Sequence, residues 1–500
     1  MNANFLLKGK TWLLVVLFLI VGVSGARAEI ELMGKKLTLT GFVRHQLVYN
    51  MGTTNPSNKQ YGQTDKNWCN LSRTWLISEL DYRPNDTFRL FSKMRFIWDQ
   101  TTNLDSDLLD YDAITFSTPH YGGNMRLGHD NHATAEIWEL YGDIDIGNLW
   151  FRLGRQQIVW GEMVSARILD IVNPLDKSWH FTWEPEEFEN IRIPQWMVRV
   201  VYGIEPKFAP WFDELYVEAF WNPGDIVPVK NPEIGNAYRL NWIPTQDVGG
   251  PYLTGEEHDR RGRDEFGGRI GYKIGNFAGT FNYAYLYTDD AFDEVGSPGP
   301  PPTTWPVTET FYPQIDVYGM SLNYAFDHPF NTVITLEATY VPDMPWYDNT
   351  VFPGISIKEA DTLNYAINFQ RFSNILSNQP FMNVIFQYQG KYISDHDDVK
   401  LTPSPMNKNN IVEKISNDAF VLSLSQDFSY KTYKASCVII WQPDGSYRFN
   451  PGFKYSPGDN WRLELYANWW GGSAFDKANK HQLNYFHYQD EIMTRITYQF

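Results

Sequence analysis

The sequence predicts an all-β fold, a transmembrane antiparallel β-barrel of about 18 strands (16–18), after an N-terminal signal peptide. Three observations carry this prediction. Segments of about ten residues alternate apolar and polar side chains, which is the strand length a tilted membrane strand needs. The connections between these segments alternate long and short, and 16% of the residues are aromatic. Membrane barrels combine short periplasmic turns, long extracellular loops and aromatic girdles at both interfaces.

The N-terminus predicts a signal peptide that ends at residue 28. Two lysines precede an apolar run at Trp12–Val23, and Ala26-Arg27-Ala28 is a typical cleavage site. The apolar run is shorter than the ~20 residues that a membrane-spanning helix requires. We therefore expect residues 1–28 to be removed and residues 29–500 to form one outer-membrane barrel.

The predicted strands follow one another to the C-terminus. They are Thr38–Asn50, Leu71–Arg83, Asp86–Trp98, Ala133–Ile146, Leu149–Trp160, Gln195–Glu205, Asp213–Trp221, Asp264–Ile274, Ala278–Tyr287, Ile315–Phe326, Asn331–Val341, Asp361–Arg371, Phe381–Tyr392, Asn417–Phe428, Thr432–Trp441, Ser446–Tyr455, Trp461–Gly471 and Gln489–Phe500. The long connections are 51–70, 99–132, 161–194, 222–263, 288–314, 342–360 and 393–416. An even strand number places both termini on the periplasmic side.

Alternation along these strands separates an apolar face from a charged one. In the third predicted strand Arg89, Lys93 and Arg95 share one face, and in the sixteenth Arg448 and Lys454 do so. A charge that faces lipid near the midplane costs ~2–4 kcal/mol. Because the pattern repeats around the chain, the charged faces are expected to line an aqueous lumen.

The stretch from residue 149 to residue 176 interrupts this pattern. It begins as a strand, breaks at Trp160-Gly161-Glu162, and continues with charged residues between apolar ones. A barrel of this size leaves a channel that its own side chains cannot fill, and burial of apolar surface is favourable by ~25 cal/mol per Å². We therefore expect the connection 161–194 to fold into the lumen and narrow it. The alternative is that it caps the barrel from outside.

Opposed charges on an inward segment predict a constriction that selects solutes by size and charge. Arg155 and Glu162 are expected at the root of the fold. The alternative is that these two residues pair with each other and only anchor the segment. The candidate pore and constriction residues are Arg89, Lys93, Arg95, Arg152, Arg155, Trp160, Glu162, Arg167, Asp170 and Asp176.

Short motifs in this region resemble those of a known family. They are Gly154-Arg155-Gln156, Trp160-Gly161-Glu162, Asn173-Pro174-Leu175-Asp176 and Ile193-Pro194. They resemble the signature of the proteobacterial outer-membrane family filed as domain of unknown function 1302 (DUF1302), which is similar in style to alginate-export barrels and other large porins. The resemblance implies an outer-membrane barrel of a Gram-negative bacterium and supplies no substrate.

Charge and motifs argue against several function classes. The net charge of −17 disfavours nucleic-acid binding. Gly-x-Ser-x-Gly, His-Glu-x-x-His and cysteine pairs at metal spacing are all absent from the sequence, so we predict no enzyme, no cofactor and no metal site.

The predicted function is a porin-like channel that passes small solutes across the outer membrane. The alternative is an export or binding component for a hydrophobic or polymeric cargo, working with periplasmic and inner-membrane partners. Tyr466 and Trp470, on the polar face of their predicted strand, favour this alternative. Expected partners are outer-membrane lipids, lipopolysaccharide and an unknown small-molecule or lipid-like cargo. The terminal Phe500 resembles the C-terminal signal read by the barrel-assembly machinery.

Overall fold

Eighteen antiparallel strands form a closed barrel in the computed structural model of the chain. Each barrel strand pairs with the next one along the chain, and the last pairs with the first, from Phe42 opposite Gln499 to Asn50 opposite Glu491. Closure leaves no sheet edge, which matters because an unsatisfied backbone group in hydrocarbon costs several kcal/mol. The predicted fold class is confirmed.

The structure describes residues 28–32, 35–52, 68–104, 125–129, 132–177, 179, 186–205, 207–224, 256–257, 264–289, 292–295, 307–327, 331–348, 356–373, 382–394, 396, 401–402, 415–443, 445–472 and 490–500. The predicted signal peptide lies outside the described residues, apart from Ala28.

The barrel strands are numbered β1 to β18 in chain order. They are Lys35–Asn50, Cys69–Tyr82, Phe88–Asp99, Ala133–Ile146, Leu149–Gln156, Gln195–Gly203, Glu214–Asn222, Glu265–Ile274, Phe277–Tyr287, Gln314–Phe326, Thr332–Asp348, Ser356–Ser373, Met382–Ile393, Ile415–Phe428, Tyr433–Trp441, Ser446–Tyr455, Trp461–Gly472 and Glu491–Gln499.

Shorter elements lie outside this circle of strands. Three short strands extend the barrel sheet by pairing with β1, β4 and β11, respectively Ala28–Leu32, Met125–His129 and Leu401–Thr402. A separate small sheet contains Glu256–Glu257, Phe292–Val295 and Val307–Phe311. The helical elements of the described chain are Thr101–Leu104 and the 3-10 turn Phe188–Asn190. Among the described residues no helix is long and apolar enough to span a membrane, a result that concerns helices alone.

The two faces of the strands are as the alternation predicts. On β17 the outward Trp461, Leu463 and Leu465 are exposed, whereas the inward Asn468 is buried. On β18 the inward Arg495 is buried in the same way. Large exposed apolar side chains recur on the outer face of the other strands, as a surface in contact with lipid requires.

The strand boundaries differ from the prediction around residues 342–360. The predicted loop 342–360 is wrong, because β11 runs to Asp348 and β12 starts at Ser356, with a bulge between Val341 and Met344 that lets the pairing continue. The short connection 442–445 between β15 and β16 lies where the sequence predicts it.

Strand β5 ends at Gln156, four residues before the predicted end at Trp160. Two features stop it. Gly154 has a φ of +133°, and a methyl group at this position would lie 2.3 Å from the Leu140 carbonyl oxygen. Beyond Gln156, the side chain of Asn173 takes over the backbone hydrogen bonding. The connection into the barrel therefore starts part of the way along the wall.

Candidate functional site

Residues 157–194, here called the lumen segment, leave the wall after β5 and return to it at β6. The side chain of Asn173 links the start and the end of the segment by hydrogen bonds. Its Oδ1 accepts a hydrogen bond from Ile158 N (2.7 Å), and its Nδ2 donates to Gln156 O (3.3 Å) and to Ile193 O (2.9 Å). One buried amide thus replaces the ladder that the strands give up.

Apolar side chains of the lumen segment pack against the inner wall of β6 to β9. Trp160 contacts Phe220 edge-on, with ring centroids 5.5 Å apart, and its Nε1 donates to Glu218 Oε1 (3.0 Å). The buried cluster consists of Ile158, Trp160, Leu169 and Val172 with Met197, Phe220, Ala284 and Leu286. Inward apolar residues of the barrel therefore match apolar residues of the segment, and both are removed from water.

Arg95 on β3 binds two carboxylates under the lumen segment. Its Nε donates to Glu136 on β4 (2.8 Å) and its Nη2 to Asp176 of the segment (2.5 Å), while Nη1 donates to Asn190 O (3.0 Å). The guanidinium lies 3.6 Å from the ring centroid of Trp138. All three charged groups are buried, so Arg95 and Asp176 hold the segment to the wall.

Other wall arginines hold the segment farther round the barrel. Arg44 on β1 and Arg495 on β18 both bind the carboxylate of Glu186, the latter at 3.5 Å. Arg73 on β2 donates to the backbone oxygen of Trp179, and its guanidinium lies over the indole ring. Together with Arg95 on β3, these residues make four arginines on the adjacent strands β18, β1, β2 and β3 that bind the segment.

Asp170 organises the charges within the segment. Its Oδ2 accepts from Arg192 Nε at 2.7 Å and from Arg167 Nε at 3.3 Å. Arg167 also donates to Asn173 O and lies 3.8 Å from Asp289 at the end of β9. Arg167 and Asp170 are therefore partners of each other rather than free charges opposite the wall.

The stretch Glu162–Leu169 of the segment, here called the lumen finger, contacts the inner wall at β10 to β13. Glu337 on β11 clamps its base, with Oε1 accepting from Glu162 N (2.5 Å) and Oε2 from Leu169 N (3.3 Å). The Glu162 side chain is exposed and accepts from Asn323 Nδ2 on β10 (3.0 Å). One buried carboxylate therefore fixes both ends of the finger.

The tip of the finger reaches β12 and β13. Val164 N donates to Gln387 Oε1 (3.2 Å), and Ser165 Oγ donates to Gln389 Oε1 (2.9 Å). Apolar contacts support these bonds, because a buried cluster joins Met163, Ile168 and Ala366. The base of the finger thus lies at β10 and β11, and its tip lies at β12 and β13.

Arg155, which we expected with Glu162 at the root of the fold, is fully buried and donates from Nε to Trp138 O (2.9 Å). Glu162 bonds to Asn323, and the described ion pairs do not include one between Arg155 and Glu162. Arg155 lies on β5, whereas Glu162 lies beside β10 and β11.

The remaining candidate residues lie on the wall beside the segment. Asp143 Oδ1 accepts from Arg152 Nε (2.7 Å), and its Oδ2 accepts from Arg89 Nη1 (3.4 Å). Lys93 is buried and reaches Glu189 of the segment at 3.5 Å. Among the ten candidates Glu162 alone is classed as exposed, so most of these charges act as partners of one another.

Three acidic side chains of the segment face solvent. Glu162, Glu187 and Glu189 are exposed, whereas the cations Arg167 and Arg192 are partly or fully covered. Partial burial, followed by the charges of Glu189 and Glu186, raises the pKa of Glu187. Among the described residues of the segment, the fully exposed charges are therefore negative.

The anchoring contacts of the lumen segment are unevenly distributed around the barrel. The described hydrogen bonds, ion pairs and apolar contacts connect it to β1 to β4, β6 to β13 and β18. None of them connects it to β14, β15, β16 or β17.

Several residues that hold the site are not among the sequence candidates. Glu218, Glu337 and Gln387 are inward residues on distant strands that bind the segment. The sequence feature that could have identified Glu218 and Glu337 is a carboxylate on the inward face of a strand, because such a group needs a hydrogen-bond or ion-pair partner in the lumen. Tyr466 and Trp470 do face inward, and Tyr466 packs against a cluster that contains Met493.

Comparison with solved structures finds other barrels at low identity. OmpF of Salmonella typhi in complex with daunomycin matches with 11% identity and a TM-score of 0.40, covering 94% of this chain and 100% of that chain. OccAB4 of Acinetobacter baumannii matches with 9% identity and a TM-score of 0.48, covering 95% and 100%. A mutant porin of Rh. blastica matches with 9% identity and a TM-score of 0.36, covering 93% and 100%. Likeness at this level says nothing about what the chain transports.

Among curated proteins no match is found. The family model described as "Protein of unknown function (DUF1302)" matches residues 24–500, nearly the whole chain and all of the motifs that carried the resemblance. The chain belongs to the DUF1302 family.

Proposed function

We propose that the protein is a porin-like channel that passes small solutes across the outer membrane, with the lumen finger as its constriction. The observation that carries this proposal is the clamp of Glu162–Leu169 by Glu337. It fixes a short piece of chain inside the barrel, and further hydrogen bonds join this piece to β10 and β13. A barrel of 16–18 strands leaves a water-filled channel, and a fixed inward piece of chain narrows it.

The polarity of the inner wall at β14 to β17 supports a path for polar solutes. On the periplasmic half of β14 to β17 the inward residues are half-buried and mostly hydroxyl-bearing or charged. They are Ser423, Ser425, Asp427, Lys434, Ser436, Lys454, Arg462, Glu464 and Tyr466. Such a surface is stable only in contact with water or a polar solute.

The alternative of an export or binding component for hydrophobic cargo has less support. Trp470 is buried, and Tyr466 is occupied by a hydrogen bond to Glu464 Oε1 (2.8 Å) and by apolar packing. These two aromatic residues therefore do not present a free apolar surface for a cargo to bind.

Liposome swelling with neutral polyols and sugars of increasing size tests the channel. The expected result is rapid swelling with small solutes and a size cut-off, which heat-unfolded protein does not produce. Impermeability to the smallest solute, with the barrel folded by gel mobility, would contradict the channel and favour the cargo alternative.

A further inference from the structure

Cations on the wall that binds the lumen segment are matched by acids. On β1 to β8 the following inward cations each form an ion pair with a carboxylate: Arg44, Arg73, Arg89, Lys93, Arg95, Arg152, Arg199 and Arg269. This is the arrangement expected of charges with a structural role, because a buried charge without a partner is strongly unfavourable.

Three inward cations on β15 to β17 differ from those on β1 to β8. Lys434, Lys454 and Arg462 lie on β15, β16 and β17, near the periplasmic ends of these strands. They share the inward face, since Lys454 pairs with Glu464, which in turn pairs with the inward Arg495. Within the part of the chain that the structure describes, none of the three cations forms an ion pair.

The strand register places two of these cations directly opposite each other. Lys434 is the cross-strand partner of Lys454. Directly opposed residues have Cβ atoms about 4.5–5.5 Å apart, and like charges in this position destabilise the sheet. Stability alone therefore disfavours this pair, and a bound anion would relieve the repulsion.

The nearest acids flank the cluster without neutralising it. Asp427 on β14 is opposite Lys434, and Glu464 on β17 is opposite Lys454, yet neither pair is among the described ion pairs. Glu464 accepts a hydrogen bond from the hydroxyl of Tyr466. Three cations against two acids leave a net positive charge, and the cations occupy the centre of the group.

The surroundings suit a hydrated anion. Lys434, Lys454 and Arg462 are all half-buried, so water or a solute reaches them. Ser425 and Ser436 are opposite each other one step farther into the barrel on the same face, and their hydroxyls can donate to an oxyanion.

We propose that Lys434, Lys454 and Arg462 form an anion-binding site at the periplasmic end of the path, and that the channel prefers small solutes that carry a carboxylate or phosphate group. The proposal rests on the channel function given above. It adds the substrate class and assigns it to residues outside the lumen segment.

Ion selectivity in planar bilayers tests this site. Zero-current potentials in a potassium chloride gradient would be measured for the wild type, Lys454→Gln, Lys434→Gln and Arg462→Gln. The matched control is Lys207→Gln, which removes the same charge from an exposed periplasmic turn, where Lys207 pairs with Glu205. Each lumen substitution is expected to lower the chloride-to-potassium permeability ratio by about two- to fivefold, as a unit charge at a few ångströms in screened water allows. The control is expected to leave it unchanged.

Glu464→Gln provides a test in the opposite direction, since loss of a flanking acid should raise the same ratio. Equal selectivity in the wild type, the lumen variants and the control would overturn the anion site and leave the channel function standing.

If the folded wild type does not conduct, the channel function fails, and calorimetric titration with inorganic pyrophosphate then decides the site. Binding that Lys454→Gln weakens and Lys207→Gln does not would support it. Absent binding, or equal binding in both variants, would overturn it.

Discussion

The inner wall of this barrel has two parts that satisfy their charges in different ways. Along β1 to β8 the inward charges form ion pairs with the lumen segment or with each other, as in the buried group of Arg95, Glu136 and Asp176. Along β14 to β17 the described contacts of the segment are absent, and Lys434 lies opposite Lys454 without an acid partner. In the first part, ion pairs hold the lumen segment against the wall. In the second part, Lys434 and Lys454 are in contact with the solvent of the lumen.

This contrast shows what an inward charge in a barrel strand means. A charged side chain that faces the lumen interacts with another protein group, with water or with a solute. The alternation in the sequence does not show which of these three partners it has. The distinction comes from burial, because Arg95 is fully covered and Lys454 is half-buried. Charged residues of a barrel lumen therefore indicate a pore lining only where chain does not cover them.

Arg95→Met should produce the largest effect on the covered wall. It leaves the carboxylates of Glu136 and Asp176 buried without their shared cation, which costs about 3–5 kcal/mol. The temperature at which the barrel loses its heat-modifiable gel mobility should fall strongly. Arg83→Met is the matched control, because the Arg83–Asp81 pair is largely exposed and contributes about 0–1 kcal/mol. Equal transition temperatures in the two variants would show that Arg95 does not hold the segment.

Glu337→Gln should loosen the lumen finger while the barrel stays closed. An amide oxygen replaces a carboxylate that accepts two backbone hydrogen bonds, and bonds to charged groups contribute about 1.5–3 kcal/mol. Hydrogen exchange should therefore accelerate at the amides of Glu162 and Leu169 and stay unchanged in β11. Glu214→Gln, whose carboxylate is exposed 3.8 Å from Lys273, serves as the control. Unchanged protection at both amides would exclude the clamp.

Gly319→Ala should have a smaller effect on the same contact. A methyl group there would lie 2.4 Å from Cδ2 of Leu169, so the finger must shift, and overpacking costs about 1–3 kcal/mol. Gly458→Ala is the control, because a methyl group there meets no atom within 4 Å. A lower transition temperature is expected for Gly319→Ala alone. Identical thermal transitions would mean that Leu169 is not packed against β10.

The alternation and the turn residues were sufficient to predict the barrel and its strand number. Gly147-Asn148 and Gly275-Asn276 mark tight turns that the structure contains. The predicted loop 342–360 was wrong because a bulge near Val341 allows strands to continue past the apparent end of the pattern. Local sequence does not reveal such a bulge, since its cost is offset by pairing with the neighbouring strand.

The partners that hold the lumen segment could not be predicted from the sequence, and its role as a constriction stays a prediction. Apolar and charged residues after Trp160 indicated a segment that needs both a wall and water, and the segment does contact inward side chains. Its clamp, however, joins residues 175 positions apart in the chain, Glu162 and Glu337, and the tip contact to Gln387 joins residues 223 apart. Which strand lies opposite is set by barrel closure and stagger, a global property that no local pattern contains.

Single-channel conductance of a finger-less variant tests the central claim most directly. Glu162 N and Leu169 N bind the two oxygens of one carboxylate, so a two-glycine link can replace Met163–Ile168 without moving the rest of the segment. Asp170 keeps Arg192, and Asp176 keeps Arg95, so the anchors remain. We predict a larger conductance and weaker ion selectivity than in the wild type, with unchanged heat-modifiable mobility, whereas Ser165→Ala should retain most of the wild-type value. A correctly folded finger-less barrel with wild-type conductance and selectivity would contradict the claim that Glu162–Leu169 is the constriction.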